Sequence, residues 1–155
     1  MKEMDYEFKI KELKFQPTLA VKTRTPVENL PQEIGNAYKG IMQYLGELGI
    51  EPVGMPFVIY YNLDMQDLDV EIGFPVPKRF KDKGAIKASD LPKGKVASCI
   101  HMGPYEEMKP TYDALTEWVQ NNGYEPTGVT IEYYYNDPHE VAPEEIMTEI
   151  QFPLK

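Results

Sequence analysis

The 155 residues predict an α+β domain made by tandem duplication, with an antiparallel sheet carrying two helices on one face. Two observations support this. The first is that one set of segments occurs twice. Gly49–Gly54 reads GIEPVG and Gly123–Gly128 reads GYEPTG, while Tyr60-Tyr61-Asn62 returns as Tyr134-Tyr135-Asn136. Glu71-Ile72-Gly73-Phe74-Pro75 returns as Glu149-Ile150-Gln151-Phe152-Pro153, slightly later because the second copy has a longer loop. Upstream, Ile10, Ala20-Val21 and Pro26 are matched with Ile86, Val96-Ala97 and Pro104. Repeats of this size dictate architecture. The chain is therefore one domain over residues 1–155, with repeat units at about 1–76 and 77–155. The second observation is periodicity, since each copy alternates short strand patterns around one helical pattern.

In order, Tyr6–Phe15 begins as a strand, with Tyr6, Phe8 and Ile10 alternating against Glu7, Lys9 and Lys11. Gln16-Pro17 marks a turn, and Leu19–Thr25 reads as the antiparallel partner. A helix is predicted from about Gln32 to Leu48, because Ile34, Ala37, Tyr38, Ile41, Tyr44, Leu45 and Leu48 share a face. Gly49 suits its C-terminal stop. Met55–Asn62 and Leu68–Val76 follow as strands around the acidic turn Asp64–Asp67. The second copy repeats the order. Lys78–Ser89 is a polar linker merging into a strand, Pro92-Lys93-Gly94 turns the chain, and Lys95–Met102 is the next strand. A helix runs from roughly Glu107 to Asn121, with Pro110 in its first turn, where proline is tolerated. Val129–Asn136 and Ile146–Pro153 complete a strand-strand-helix-strand-strand unit.

Composition excludes several classes. A net charge of −9 with only Arg24 and Arg79 as arginines argues against nucleic-acid binding. Acidity of this kind favours cationic partners, although solubility alone is the simpler reading. No apolar run is long enough to cross a membrane, no signal pattern opens the chain, and Cys99 stands alone, so the cytoplasm is the expected location. There is no Gly-rich phosphate loop, HExxH or CxxC, and His101, His139 and Cys99 are too scattered for a metal site, so neither cofactor nor metal is expected. Cys99 and His101 share a strand face, but with no third group to orient them Cys99 reads as a buried structural cysteine.

One residue stands out. Glu132 lies in Thr130–Pro138 (TIEYYYNDP), otherwise a strand of β-branched and aromatic residues ending in a turn. Alternation puts Glu132 on a face with Tyr134 and Asn136, and puts Ile131, Tyr133 and Tyr135 on the other. A buried carboxylate must be paired or face a cavity, whereas on an edge strand it would sit in water. Its counterpart in the first copy is Val58, and an asymmetry of that sort suits a binding site. Two helices that diverge over one sheet would leave a ligand groove at the pseudo-twofold, floored by the central strands. Tyr38, Tyr44, Tyr112 and Trp118 serve either the core or that groove.

The ordered set HMGPYEEM (His101–Met108), Tyr112 and Trp118 on a helix, GYEP (Gly123–Pro126), EYYYNDP (Glu132–Pro138) and TEIQFPL (Thr148–Leu154), with DVEIGFPV (Asp69–Val76) in the first copy, resembles the GyrI-like family. This is the effector-binding domain of AraC-type and MerR-type regulators, found also in free-standing form. The resemblance implies two strand-helix-strand-strand units and recognition of lipophilic, often cationic aromatic compounds. The glutamate of its E-x-Y-x-N-D-P pattern faces the ligand's charge. That role falls on Glu132, with Tyr134 and Asn136 matching. Tyr105, Tyr112, Trp118, Tyr38 and Tyr60 are the expected aromatic ligand contacts. Some free-standing members hydrolyse cyclopropane-bearing alkylators, in which case Glu132 and Tyr134 would be catalytic. A protein partner of the gyrase type is a further alternative, through an acidic face such as Asp137–Glu145, which reads more simply as a solvated loop. No helix-turn-helix flanks these residues, so direct control of transcription is not expected of them.

Overall fold

The computed structural model describes residues 6–137 and 139–155; Pro138, in the predicted turn, lies outside them. Among the described residues, eight strands and two α-helices make an α+β fold with antiparallel pairing, in two compact units. One unit comprises Met1–Leu13 with Gly94–Lys155, and the other Lys14–Lys93.

The second unit contains β2 (Pro17–Thr25), α1 (Leu30–Leu48), β3 (Phe57–Tyr60), β4 (Leu68–Pro75) and β5 (Lys87–Asp90). β4 pairs with both β3 and β2, and β2 pairs on its other side with β5. Helix α1 has proline in its first turn and ends at Gly49, whose φ of 68° is a left-handed cap that glycine adopts without a Cβ penalty. Its Ile41, Tyr44 and Leu45 pack on Leu19 of β2, Phe74 of β4 and Val76 just after β4.

The first unit contains β1 (Lys9–Leu13), β6 (Gly94–Met102), α2 (Lys109–Asn121), β7 (Thr130–Tyr134) and β8 (Met147–Pro153). β8 pairs with both β7 and β6, and β6 pairs on its other side with β1. Leu115 and Val119 of α2 cover Ala97, Cys99, Ile150 and Phe152. The two units thus share one topology: a short edge strand, then the second, fourth and third strands of a copy, with that copy's helix on one face.

Two details differ from the sequence-based expectation. Residues Tyr6–Phe15 and Leu19–Thr25 do not form a hairpin: β1 pairs with β6, and β2 takes β5 instead. Tight hairpin turns need positive φ. The link Lys14-Phe15-Gln16 has no glycine, and no other described residue type adopts positive φ. Gln16 is instead tied into the other unit, donating from Nε2 to Val76 O at 2.8 Å and accepting from Leu91 N at 3.0 Å. The register also corrects the upstream repeat alignment. Ala20 faces Gly73 and Ser98 faces Gln151, so Ala20 corresponds to Ser98 rather than to Val96.

Gly73 sits in β4 where a Cβ would lie 2.6 Å from Leu19 O and 3.0 Å from the Phe57 ring. The first contact is to backbone and cannot rotate away. Gly73→Ala is expected to lower stability by about 1–3 kcal/mol through overpacking, measured by urea denaturation at neutral pH.

Candidate functional site

Glu132 lies mid-strand in β7, paired in register with Ile150 of β8, which in turn faces Cys99 of β6. That row is on the face covered by α2, and Glu132 is 7% exposed. An ionised carboxylate in such a place needs donors. Tyr134, two residues on and on the same face, donates its hydroxyl to Oε1 at 2.7 Å. Tyr112, from α2, donates to Oε2. Tyr105, in the single turn Tyr105–Glu107 that leads into α2, sets its ring edge-on to Tyr134 with centroids 5.8 Å apart. Burial raises the Tyr105 pKa, and the negative charges of Glu132 and Asp137 add to that rise. Tyr105 is still 40% exposed, so the group has one face toward solvent.

The structure therefore brings Glu132, Tyr134, Tyr112 and Tyr105 together within one unit. Trp118 is elsewhere on α2, stacked between Phe8 at 5.4 Å and Tyr124 at 6.5 Å. Tyr38 and Tyr60 belong to the other unit, where Tyr38 packs on Phe74 at 5.0 Å and Tyr60 is buried. Tyr112 on Phe152 repeats the Tyr38–Phe74 contact, so the helix tyrosine over a sheet phenylalanine occurs in both copies. The strand position below differs, Val58 in one copy and Glu132 in the other. Asn136 accepts from Met147 N at 3.0 Å and donates to Glu145 O at 2.8 Å, closing the β7–β8 hairpin as Asn62 closes β3–β4.

A cleft of about 490 Å³ opens in the Lys14–Lys93 unit between α1 and the turn at Lys83–Ile86, lined mainly by Val21, Ala37, Gly40, Tyr44 and Ile86. None of the Glu132 group lines it. His101 is held between Thr111 Oγ1 at 2.7 Å and Pro104 O at 3.0 Å, and burial pushes the Cys99 thiol up to about 11. Both are positions in a packed interior. Among the described residues no three His, Cys, Asp or Glu side chains gather as a metal ion would require, and no helix is long and apolar enough to cross a membrane.

Sequence reasoning missed two further buried carboxylates, on the opposite face of the strands: Glu149, 3% exposed, and Glu71, 1% exposed. The available signal was the repeat itself, since Tyr61 and Glu71 return as Tyr135 and Glu149. Glu149 accepts from Lys11 Nζ, Ser98 Oγ and Gln151 Nε2, each at 2.7 Å, and from the Tyr135 hydroxyl. Burial alone would raise its pKa, but these donors outweigh burial and hold it down to about 2.

The family of GyrI-like small molecule binding domains matches residues 6–155. The chain belongs to that family. It is similar to the C-terminal domain of EcmrR, with 25% identity over 98% of this chain and 99% of that domain at a TM-score of 0.77. EcmrR in its DNA complex superposes at a TM-score of 0.83 with 25% identity over 97% of this chain. This chain spans 57% of that EcmrR chain. A hydrolase from Listeria innocua has the same fold, at a TM-score of 0.72 and 14% identity over 96% of this chain and 92% of that one. No curated protein sequence matches at a significant level.

The Glu149 cluster has a testable pH signature. With a folded pKa of about 2 against an ordinary 4.5, its stabilisation is present above pH 4.5 and is lost as pH falls toward 2. Lys11→Met removes one charged donor and should cost about 1.5–3 kcal/mol at pH 7. The gap to wild type should narrow as Glu149 becomes protonated in both proteins, measured by urea denaturation from pH 7 down to 2.5.

Proposed function

We propose that this GyrI-like domain binds a lipophilic aromatic cation against Glu132. One observation supports this reading above the rest: a carboxylate in an aromatic site, with Tyr112 and Tyr134 on its two oxygens and Tyr105 edge-on beside them. The hydroxyls orient the carboxylate, and tyrosine rings offer faces that attract positive charge at about 0.5–2 kcal/mol per contact. A cation brought beside Glu132 would favour its ionised form, as a nearby opposite charge does for any carboxylate. Family membership makes small-molecule binding the expected activity, and the acidic group selects the cationic class within it.

Titration with a rhodamine-type cationic dye, followed by fluorescence polarisation, is expected to saturate in the micromolar range. A neutral dye of the same shape should bind at least about tenfold more weakly, a difference of roughly 1.4 kcal/mol. Glu132→Gln should cost about 2–5 kcal/mol in affinity for the cation, the usual cost of removing one partner of a buried charge pair. Equal affinity for both dyes would show that charge is not read here.

The tyrosine-held carboxylate also has the make-up of an acid–base site, with Glu132 acting on a water and Tyr134 donating to a developing oxyanion. Hydrolysis of a cyclopropane-bearing alkylator separates the two readings. If the domain turns such a substrate over, Glu132→Gln should slow the reaction by about 10²–10⁴-fold while substrate is still bound. A pure binder yields no product.

A further inference from the structure

We propose that Glu71, in the Lys14–Lys93 unit, is the acid of a separate site for a primary alkylammonium group. The inference rests on what the two copies do with one buried carboxylate. In the other unit Glu149 is ringed by Lys11, Ser98, Gln151 and Tyr135. Strand register assigns the counterparts. Lys11 faces Val96, which faces Pro153, and Ser89 faces Thr18, which faces Pro75, so Ser89 stands where Lys11 does. Ala20 stands for Ser98 and Gly73 for Gln151. Only the tyrosine is kept, and Tyr61 donates to Glu71 Oε1 at 2.6 Å.

Glu71 is nevertheless 1% exposed, and its Oε2 has no hydrogen-bond partner among the described residues. A second buried polar atom, Thr18 Oγ1, is also without a partner there, and Thr18 is the residue facing Ser89. This copy thus has no lysine, serine or glutamine at those three positions, and a carboxylate oxygen and a hydroxyl on that same face are without partners among the described residues. Lys22 sits opposite Glu71 in register, yet its Nζ lies 5.8 Å from the centre of the Tyr61 ring and forms no ion pair with Glu71 among the described residues. The chemistry that fits is the one seen in the sister unit: an ammonium on a flexible alkyl stem, with N–H groups to give and none to receive. Tyr61 and Lys22, both exposed, lie beside Glu71, one by its hydroxyl and the other directly across the strand pair.

The test uses n-butylammonium, which has the length of a lysine stem, with n-butanol as the neutral control at matched ionic strength. Thermal unfolding of the whole chain is expected to shift upward saturably with the amine and not with the alcohol. Glu132→Gln should keep this response, which separates it from the aromatic-cation site. Glu71→Gln should weaken the response at least tenfold. Ser89→Lys rebuilds the internal ammonium, so it should raise the melting temperature by itself and abolish the amine response. Lys22→Met should leave the response intact or strengthen it. An equal response to amine and alcohol overturns the proposal. So does a response lost in Glu132→Gln, or one unchanged in Ser89→Lys, and the last holds even if Glu71→Gln does not fold.

Discussion

Carboxylates set within strands must be met by donors that do not themselves carry a cost of burial, and here tyrosine is used for that purpose three times. Tyr61 serves Glu71, Tyr135 serves Glu149, and Tyr134 with Tyr112 serves Glu132. A phenol suits the task because its ring packs with apolar neighbours while its hydroxyl donates. Burial, reinforced by hydrogen bonding to the adjacent carboxylates, pushes the pKa values of Tyr61 and Tyr135 far above the ordinary phenol value. They therefore stay protonated and keep donating across the whole physiological range. Without such partners each buried oxygen would lose its hydration uncompensated.

The two copies are alike in scaffold and unlike at particular side chains. Both copies keep the helix tyrosine over the sheet phenylalanine, the asparagine that closes the last hairpin, and the strand tyrosine that meets a glutamate on the far face. Among the positions that differ are Val58 against Glu132 on the helix side, and Ser89, Ala20 and Gly73 against Lys11, Ser98 and Gln151 on the other. A scaffold retained twice can tolerate such substitutions, because backbone pairing and the helix-to-sheet core already hold each unit together.

Much of this was legible in the residues. The repeat, the two helices and the order of elements along each copy follow from periodicity and turn chemistry, and Pro110 and Gly49 fall where first-turn proline and left-handed glycine belong. Alternation along β7 correctly put Glu132 and Tyr134 on one face, since i and i+2 share a side of a strand. The exchanged pairing of β1 and β5 was not legible, because a local reading always prefers a hairpin between neighbouring strands. Nor was the position of Trp118. Helical spacing shows that it belongs to an inward region of α2, but not that Phe8 of the N-terminal segment would stack upon it. Contacts made across most of the chain leave no local signature.

That exchange bears directly on how the Glu132 group is assembled. Lys11 and Glu149 are separated by 138 residues, yet they form the best-supplied ion pair in the molecule's described interior. Closing so long a loop costs conformational entropy, and contacts of this kind form late. Without β1, β6 would have an open edge and Glu149 would lack the Lys11 ammonium, so the sheet carrying β8 would be incomplete on one side. β8 in turn is the strand against which β7 sets Glu132. The positioning of Glu132 therefore depends on residues from the other end of the chain, through three successive strand pairings and a charge pair on the opposite face. Lys11 and Ser98 both bond Glu149 of β8, the strand on which β7 and its Glu132 are paired.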